Sequence, residues 1–361
     1  MGKWTRRGFI TAGVVAGGGL LIGVAIRPGN RSTELAKYLA RDGESFLHTW
    51  VKLDQNNIVT AIVPHSEMGQ GVGTALAQML AEELDADWSL VKYEEAPAVR
   101  EFANYPIIKG MFVGNTNVPD FVVPTIDGAL IRTAKALDLQ ITGGSSSIRM
   151  TGEFGMRVAG AAVKEMLRDA AATKWQVPVD EIRTENSHLI HVKSGRQIPY
   201  SDVAQAVSNM VPPASPKLKS ADDFKIIGKS VARFDLPSKV DGTALFAIDV
   251  KLPDMLYATV QRAPSFTGQI ETITDELSRS IKGVVDIVRL PSTTVSSALG
   301  SFSFADSVAV VADSFWTAKK GIDLLDVRWE STKHSQVSSN VIFNQFERDI
   351  DEALEREIDV S

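Results

Sequence analysis

The 361-residue chain contains no cysteine. It therefore carries no disulfide, no cysteine-ligated zinc and no iron–sulfur cluster, and any relay through iron and sulfur has to sit on another polypeptide. Basic charge is scarce as well: 38 Lys and Arg against 44 Asp and Glu leave a net charge of −6. Without a basic stripe to neutralise a phosphate backbone, nucleic acid is excluded as a partner class. The five histidines, His48, His65, His188, His191 and His334, show no metal-ligand spacing on a helix face, so no protein metal ligand is assigned. His65 and Glu67 read as a satisfied polar pair at a strand end, and His188 and His191 as strand residues near a turn. No strongly apolar run reaches the ~20 residues a spanning helix needs. The remainder, 44% hydrophobic and 23% charged, excludes disorder of the bulk and leaves room for about two or three domains.

Several motifs fail on spelling. Gly69-Gln70-Gly71-Val72-Gly73-Thr74 has Thr where a Rossmann fingerprint needs its third Gly. No P-loop occurs. Gly143-Gly144-Ser145-Ser146-Ser147 has Ser where a nucleophile elbow needs its second Gly, which argues against an α/β-hydrolase.

What is present begins with an address. Thr5-Arg6-Arg7-Gly8-Phe9-Ile10 precedes a weakly apolar, glycine-rich run from Thr11 to Ile26, the pattern of a twin-arginine export signal. Residues 1–30 are assigned to it, the location is expected to be periplasmic, and cleavage or retention as a membrane anchor stays open. Behind it, Phe46 to Leu53 and Ile58 to Val63 read as two strands joined by Asp54-Gln55-Asn56-Asn57. A glycine-rich elbow, Glu67 to Gly73, leads into a helix from Thr74 to Leu84, with Leu76, Met79, Leu80 and Leu84 on the buried stripe and Glu82 and Glu83 on the other face. A second small-residue loop, Thr142 to Ser147, lies upstream of a helix from Glu153 to Ala172, whose apolar face is Met156, Ala159, Val163, Met166, Leu167 and Ala170.

Val211-Pro212-Pro213-Ala214-Ser215-Pro216 reads as an interdomain linker. Strands are expected over Phe246–Val250, Leu256–Val260, Gly283–Leu290 and Ser307–Ala312. A helix capped by Ser314 follows, with Phe315, Ala318, Ile322 and Leu325 inward, and then a strand through Val327 and Trp329. The tail from Ser338 is polar and helical. The class is α+β.

Consecutive glycines let backbone N–H groups approach a bound anion, and a following helix N-terminus adds partial positive charge toward it. Both small-residue loops suit a phosphate or a pterin, and each also suits plain packing.

Resemblance sharpens this. Ser66-Glu67-Met68-Gly69-Gln70-Gly71, with Ala77-Gln78 and Ala81-Glu82-Glu83-Leu84, resembles the cofactor segment of xanthine dehydrogenase and aldehyde oxidoreductase large subunits. Gly144 to Ser147 with Ala159-Gly160 is similar to that family's Ser-rich cofactor loop. Ile227-Gly228-Lys229-Ser230-Val231-Ala232-Arg233-Phe234-Asp235-Leu236-Pro237 and Lys239-Val240-Asp241-Gly242 resemble the start of its α/β hammerhead domain. That module follows the elbow rather than preceding it, as in the permuted branch of isoquinoline 1-oxidoreductase beta-type subunits.

The resemblance implies part of a molybdopterin-binding α/β domain (44–210), a linker (211–223), a hammerhead domain (224–335) and a linker segment (336–361) toward a further cofactor-binding domain. It implies a molybdenum–molybdopterin cofactor, expected in its cytosine dinucleotide form, held by Met68, Gly69, Gln70, Gly71, Gly144, Ser145, Ser146 and Ser147. Gln70 is expected to hydrogen-bond near the metal's oxo group or the pterin. The reaction implied is oxidation of an aldehyde or N-heteroaromatic carbon with water-derived oxygen. Electrons would pass to a small [2Fe–2S] partner subunit, with a membrane cytochrome c as a further candidate. The catalytic glutamate is expected beyond Ser361, so this chain alone is expected to be inactive. The alternative is a truncated, noncatalytic exported module for binding or assembly.

Overall fold

The computed structural model describes residues 32–140, 143–265, 267–297, 300–331 and 335–355. Residues 1–31, on which the expected export signal falls, together with Thr142, His334 and residues 356–361, lie outside the described residues. The chain divides into two compact units between Ala244 and Leu245.

In the first unit a short helix α1 (Ser32–Leu39) precedes a four-stranded sheet, β1 (Glu44–His48), β2 (Val51–Asp54), β3 (Val59–Val63) and β4 (Val91–Glu95), in that spatial order. Three strands replace the two expected before the elbow, because the register breaks between Phe46 and His48 and the chain turns so that Trp50 is wholly buried. The Asp54–Asn57 turn forms as expected: Asp54 Oδ1 accepts from the N–H groups of Asn56 and Ile58 at 2.9 and 2.8 Å.

Strands β3 and β4 are parallel. A parallel pair needs a crossover, supplied here by helix α2 (Val72–Leu84), with Leu76, Leu80 and Leu84 buried against the sheet. The elbow thus lies at the carboxyl end of β3, where ligand crevices of parallel sheets form.

Helices α3 (Tyr105–Phe112) and α4 (Val123–Ala136) lead to α5 (Ser145–Thr151), a π-helical turn (Gly152–Met156) and α6 (Arg157–Trp175), which run on without a break. The expected helix therefore starts earlier, and Ser145–Ser147 form its first turn rather than a loop. Its expected apolar face is in the core. Burying each large apolar side chain contributes roughly 1.5–3 kcal/mol. A small antiparallel sheet, β5 (Ile182–Glu185), β6 (His188–His191) and β7 (Gln197–Pro199), follows, with both histidines on its middle strand.

Glu82 and Glu83 are not on a solvent face; both are fully buried. Glu82 Oε2 accepts from the N–H groups of Lys225, Ile226 and Ile227 at 2.8, 2.6 and 3.1 Å, and its Oε1 meets Lys219 Nζ at 2.7 Å. Glu83 accepts from Arg157 Nε at 2.8 Å and from the Lys219 N–H at 2.9 Å. A carboxylate is tolerated in the interior when its oxygens are this fully satisfied. These bonds hold the segment after the Pro-rich stretch on α2. Residues 211–244 belong to the first compact unit.

The second unit contains a three-stranded antiparallel sheet in the order β10 (Val284–Leu290), β13 (Ser307–Ala312), β8 (Tyr257–Arg262). β9 (Ile270–Thr274) pairs with β14 (Asp326–Trp329), and β11 (Thr293–Ser297) with β12 (Gly300–Phe304). Helix α7 (Phe315–Asp323) is capped by Ser314, whose Oγ accepts from the Thr317 N–H at 3.1 Å. Ala318, Ile322 and Leu325 face the small core of Ile270, Val308 and Val310, whereas Phe315 is exposed. Residues 246–250 form a 3₁₀ turn at Ala247–Asp249 rather than a strand. The tail helix α8 (Ser339–Glu355) is present and buries no residue. Mixed helices and strands agree with the α+β class. No helix among the described residues is long and apolar enough to cross a membrane.

Candidate functional site

Two segments carry the eight candidate residues, and the helices behind them pack on one another. A Cβ on Gly152 would strike Met79 Sδ at 2.0 Å, and one on Gly160 would strike the Leu80 carbonyl oxygen at 2.4 Å. The π-helical turn and the start of α6 thus pack directly on α2.

In the elbow, Gly69 and Gly71 have φ of +103° and +79°, a region that L side chains rarely adopt. Their N–H groups donate to Glu67 Oε1 at 2.9 and 3.0 Å, and that of Gly73 to Oε2 at 3.2 Å. The nest of amides expected to face a foreign anion is thus filled by a carboxylate of the same loop. Burial pushes the Glu67 carboxyl up, but the three N–H groups outweigh it and hold the group below the usual carboxylate range. Gln70 is also turned inward: its Nε2 donates to the Ser66 carbonyl at 3.0 Å and its Oε1 accepts from the Met68 N–H at 2.6 Å. Met68 is exposed, and a Cβ on Gly69 or Gly71 would meet nothing within 4 Å.

The second loop is open. Gly144 is exposed with φ of −100°, and a Cβ there would likewise meet nothing within 4 Å. The Ser147 hydroxyl donates to the Gly144 carbonyl at 2.9 Å. Among the described residues, the first-turn N–H groups of Ser145, Ser146 and Ser147 find no acceptor. Unpaired amides at a helix start are a ready anion-binding surface.

Beneath the loops, His65 does not pair with Glu67. Its Nε2 lies 2.8 Å from Thr151 Oγ1 and 3.3 Å from Asn104 Nδ2. The Asn104 amide can only donate from that atom, so Nε2 accepts and the ring proton sits on Nδ1, which is buried without a hydrogen-bond partner. Burial lowers the His65 pKa to about 4. Arg233, which sequence reasoning did not assign to the site, donates to the Gly69 carbonyl at 3.0 Å and lies 3.3 Å from Glu67 Oε1. The available signal was a carboxylate heading a run of alternating glycines. A cleft of about 670 Å³ lined by Lys109, Asp127, Glu153, Phe154 and Arg157 contains none of the eight residues. Among the described residues, no group of three His, Asp or Glu could hold a metal.

No family model matches the chain. It is 27% identical over 334 residues to isoquinoline 1-oxidoreductase subunit beta of Brevundimonas diminuta, covering 83% of this chain and 37% of that protein. It is 29% identical over 336 residues to a membrane-bound aldehyde dehydrogenase [pyrroloquinoline-quinone] of Gluconacetobacter polyoxogenes, covering 90% and 37%. A 62-residue stretch is 40% identical to the nicotinate dehydrogenase large molybdopterin subunit of Eubacterium barkeri, covering 17% of this chain and 15% of that one. The chain thus spans 37% of the length of the first two relatives. The chain is thus similar to large subunits of the isoquinoline 1-oxidoreductase beta and nicotinate dehydrogenase molybdopterin type.

Proposed function

We propose that the chain is the cofactor-holding front part of a molybdenum hydroxylase large subunit. The observation that supports the reading is two glycine-led helix starts whose helices pack on one another, the second with first-turn amides at Ser145–Ser147 that find no acceptor among the described residues. The ligand is read as a pterin bearing molybdenum, in its cytosine dinucleotide form; supporting this, Gly144 is exposed, a Cβ on it would meet nothing within 4 Å, and the amides of Ser145–Ser147 find no acceptor among the described residues.

When bound, the group would supply two-electron oxidation of an aldehyde or N-heteroaromatic carbon with oxygen from water. The chain's own part is to hold and orient it. Ser145, Ser146 and Ser147 donate hydrogen bonds, Gly144 leaves room for close approach, and Met68 to Gly71 present the opposing wall. Gln70, held by the Ser66 carbonyl and the Met68 N–H, would lie beside the group. A glutamate base is assigned to sequence outside this chain. With no cysteine in these 361 residues, an iron–sulfur carrier would sit on a separate [2Fe–2S] subunit, with a membrane cytochrome c as a further carrier.

The strand-rich unit from Leu245 is proposed as the body of an α/β hammerhead domain, and Arg6-Arg7 as the twin-arginine signal for periplasmic export. One relative's name carries pyrroloquinoline quinone instead of a pterin, so analysis of the purified protein for molybdenum, pterin and quinone is the test. Molybdenum with pterin supports the proposal. Quinone without molybdenum overturns it.

A further inference from the structure

We infer that Glu67 and Arg233 form a positioning pair that sets the elbow in its cofactor-ready shape before the cofactor arrives; this rests on the reading proposed above. Glu67 is held from every side. Three loop amides donate to its carboxylate, its own N–H donates to Glu95 Oε1 at 2.9 Å, and its side chain is 6% exposed. Arg233 approaches from the segment that Glu82 anchors on α2, and it touches both the carboxylate and the Gly69 carbonyl.

Arg233 is itself fixed by a two-pronged pair with Asp235, Nε to Oδ1 at 3.0 Å and Nη2 to Oδ2 at 2.7 Å. Such a fork has defined direction as well as charge. Neighbouring Phe234 is seated by its N–H on Thr74 Oγ1 at 3.1 Å and by its ring against Trp88 and Tyr93. The chain is thus pinned on both sides of the guanidinium. Charge-assisted bonds of this kind are the stronger class of hydrogen bond. Here they hold two left-handed glycines in a turn that otherwise has many alternatives.

The consequence is a division of labour. Glu67 fills the amide nest, so the elbow meets its ligand with the outward groups of Met68 to Gly71. The amides of Ser145–Ser147, which find no acceptor among the described residues, are left to take the ligand's negative charge. An elbow fixed in advance spares the ordering cost at binding.

The test uses the full protein with Glu67→Gln, Glu67→Asp and Arg233→Gln, and reads amide hydrogen exchange, thermal midpoint and retained molybdenum. Glu67→Gln should speed exchange at Gly69, Gly71 and Gly73 by about tenfold or more and lower retained molybdenum by a similar factor. Arg233→Gln should do the same to a smaller extent. Glu67→Asp keeps a carboxylate one methylene short and should recover part of the molybdenum, while the three midpoints stay close to wild type. Unchanged exchange at the three glycines overturns the inference, as does molybdenum loss that merely follows the midpoint. A wild-type protein without molybdenum or pterin overturns the functional reading instead, and exchange still decides whether Glu67 sets the elbow.

Discussion

His65 Nε2 lies 2.8 Å from Thr151 Oγ1, joining the residue that leads into the elbow to the last residue of α5, the helix behind the Ser loop. The two candidate loops therefore rest on one buried polar contact, completed by Asn104, whose Nδ2 donates to Thr151 Oγ1 at 3.0 Å. A π-helical turn begins at the next residue, Gly152. Such turns recur at functional sites.

The contact requires a neutral ring. Burial lowers the His65 pKa to about 4 from an ordinary 6.5, so the unfolded chain takes up the proton first as pH falls. This contribution to stability is fully present above pH 6.5 and is lost as pH falls toward 4, by up to about 3 kcal/mol. Denaturant unfolding of wild type and His65→Leu across that window should show a steeper pH slope in wild type. Parallel curves contradict the assignment.

Thr151→Val keeps the side chain's shape and removes the hydroxyl, leaving His65 Nε2 with only the longer 3.3 Å bond from Asn104 and taking from Asn104 its 3.0 Å acceptor. The expected cost is about 1–3 kcal/mol, read as a lowered denaturation midpoint. A variant as stable as wild type would mean that the loops are not tied here.

Glycine is required at Gly71 and Gly144 for different reasons. Gly71→Ala places a Cβ on a residue at φ of +79° and should cost about 1–2 kcal/mol whether or not cofactor is bound. Gly144→Ala adds a Cβ to open space at φ of −100° and should leave the stability of the cofactor-free protein within about 0.5 kcal/mol. Equal losses at the two sites would contradict the distinction.

Much of this arrangement was legible in the sequence. Helical periodicity located α2, and most of the α5–α6 rod, with the buried faces that make them run side by side. The glycine spelling marked both loops. What was not legible depends on residues far apart in the chain. Glu82 and Glu83 look like a solvent face until the backbone of Lys225 to Ile227 arrives to satisfy one and Arg157 the other. His65, Thr151 and Asn104 share no local pattern. Ser145–Ser147 read as loop because serine is indifferent in helices and favoured at their starts, and the strand break at Trp50 follows from burying one large ring.

Glu82 provides a separate check on how residues 211–244 are held. Burial pushes its folded-state pKa up, but Lys219 and the N–H groups of Ile226, Ile227 and Lys225 together outweigh it and leave the pKa lowered. Its contribution is present above the ordinary carboxyl range near 4.5 and is lost as pH falls below it. Glu82→Leu removes the acceptor of three backbone donors and should cost about 3 kcal/mol or more. Limited proteolysis should then cut between residues 217 and 235. Resistance equal to wild type would show that the segment is held by packing alone.

Export is tested by replacing Arg6 and Arg7 with Lys. The protein should remain in the cytoplasm; unchanged periplasmic delivery removes the twin-arginine reading.

The central claim, that the elbow and the Gly144 loop hold a molybdenum–pterin group between them, is tested most directly by molybdenum and pterin content of the purified full protein beside Gly144→Val. The wild type should carry both in equal amounts. The variant should keep its fold by thermal midpoint yet retain less than about a tenth of them, since its side chain fills the approach to the Ser145–Ser147 amides. A wild type without either component, or a variant that keeps its full complement, would contradict the account.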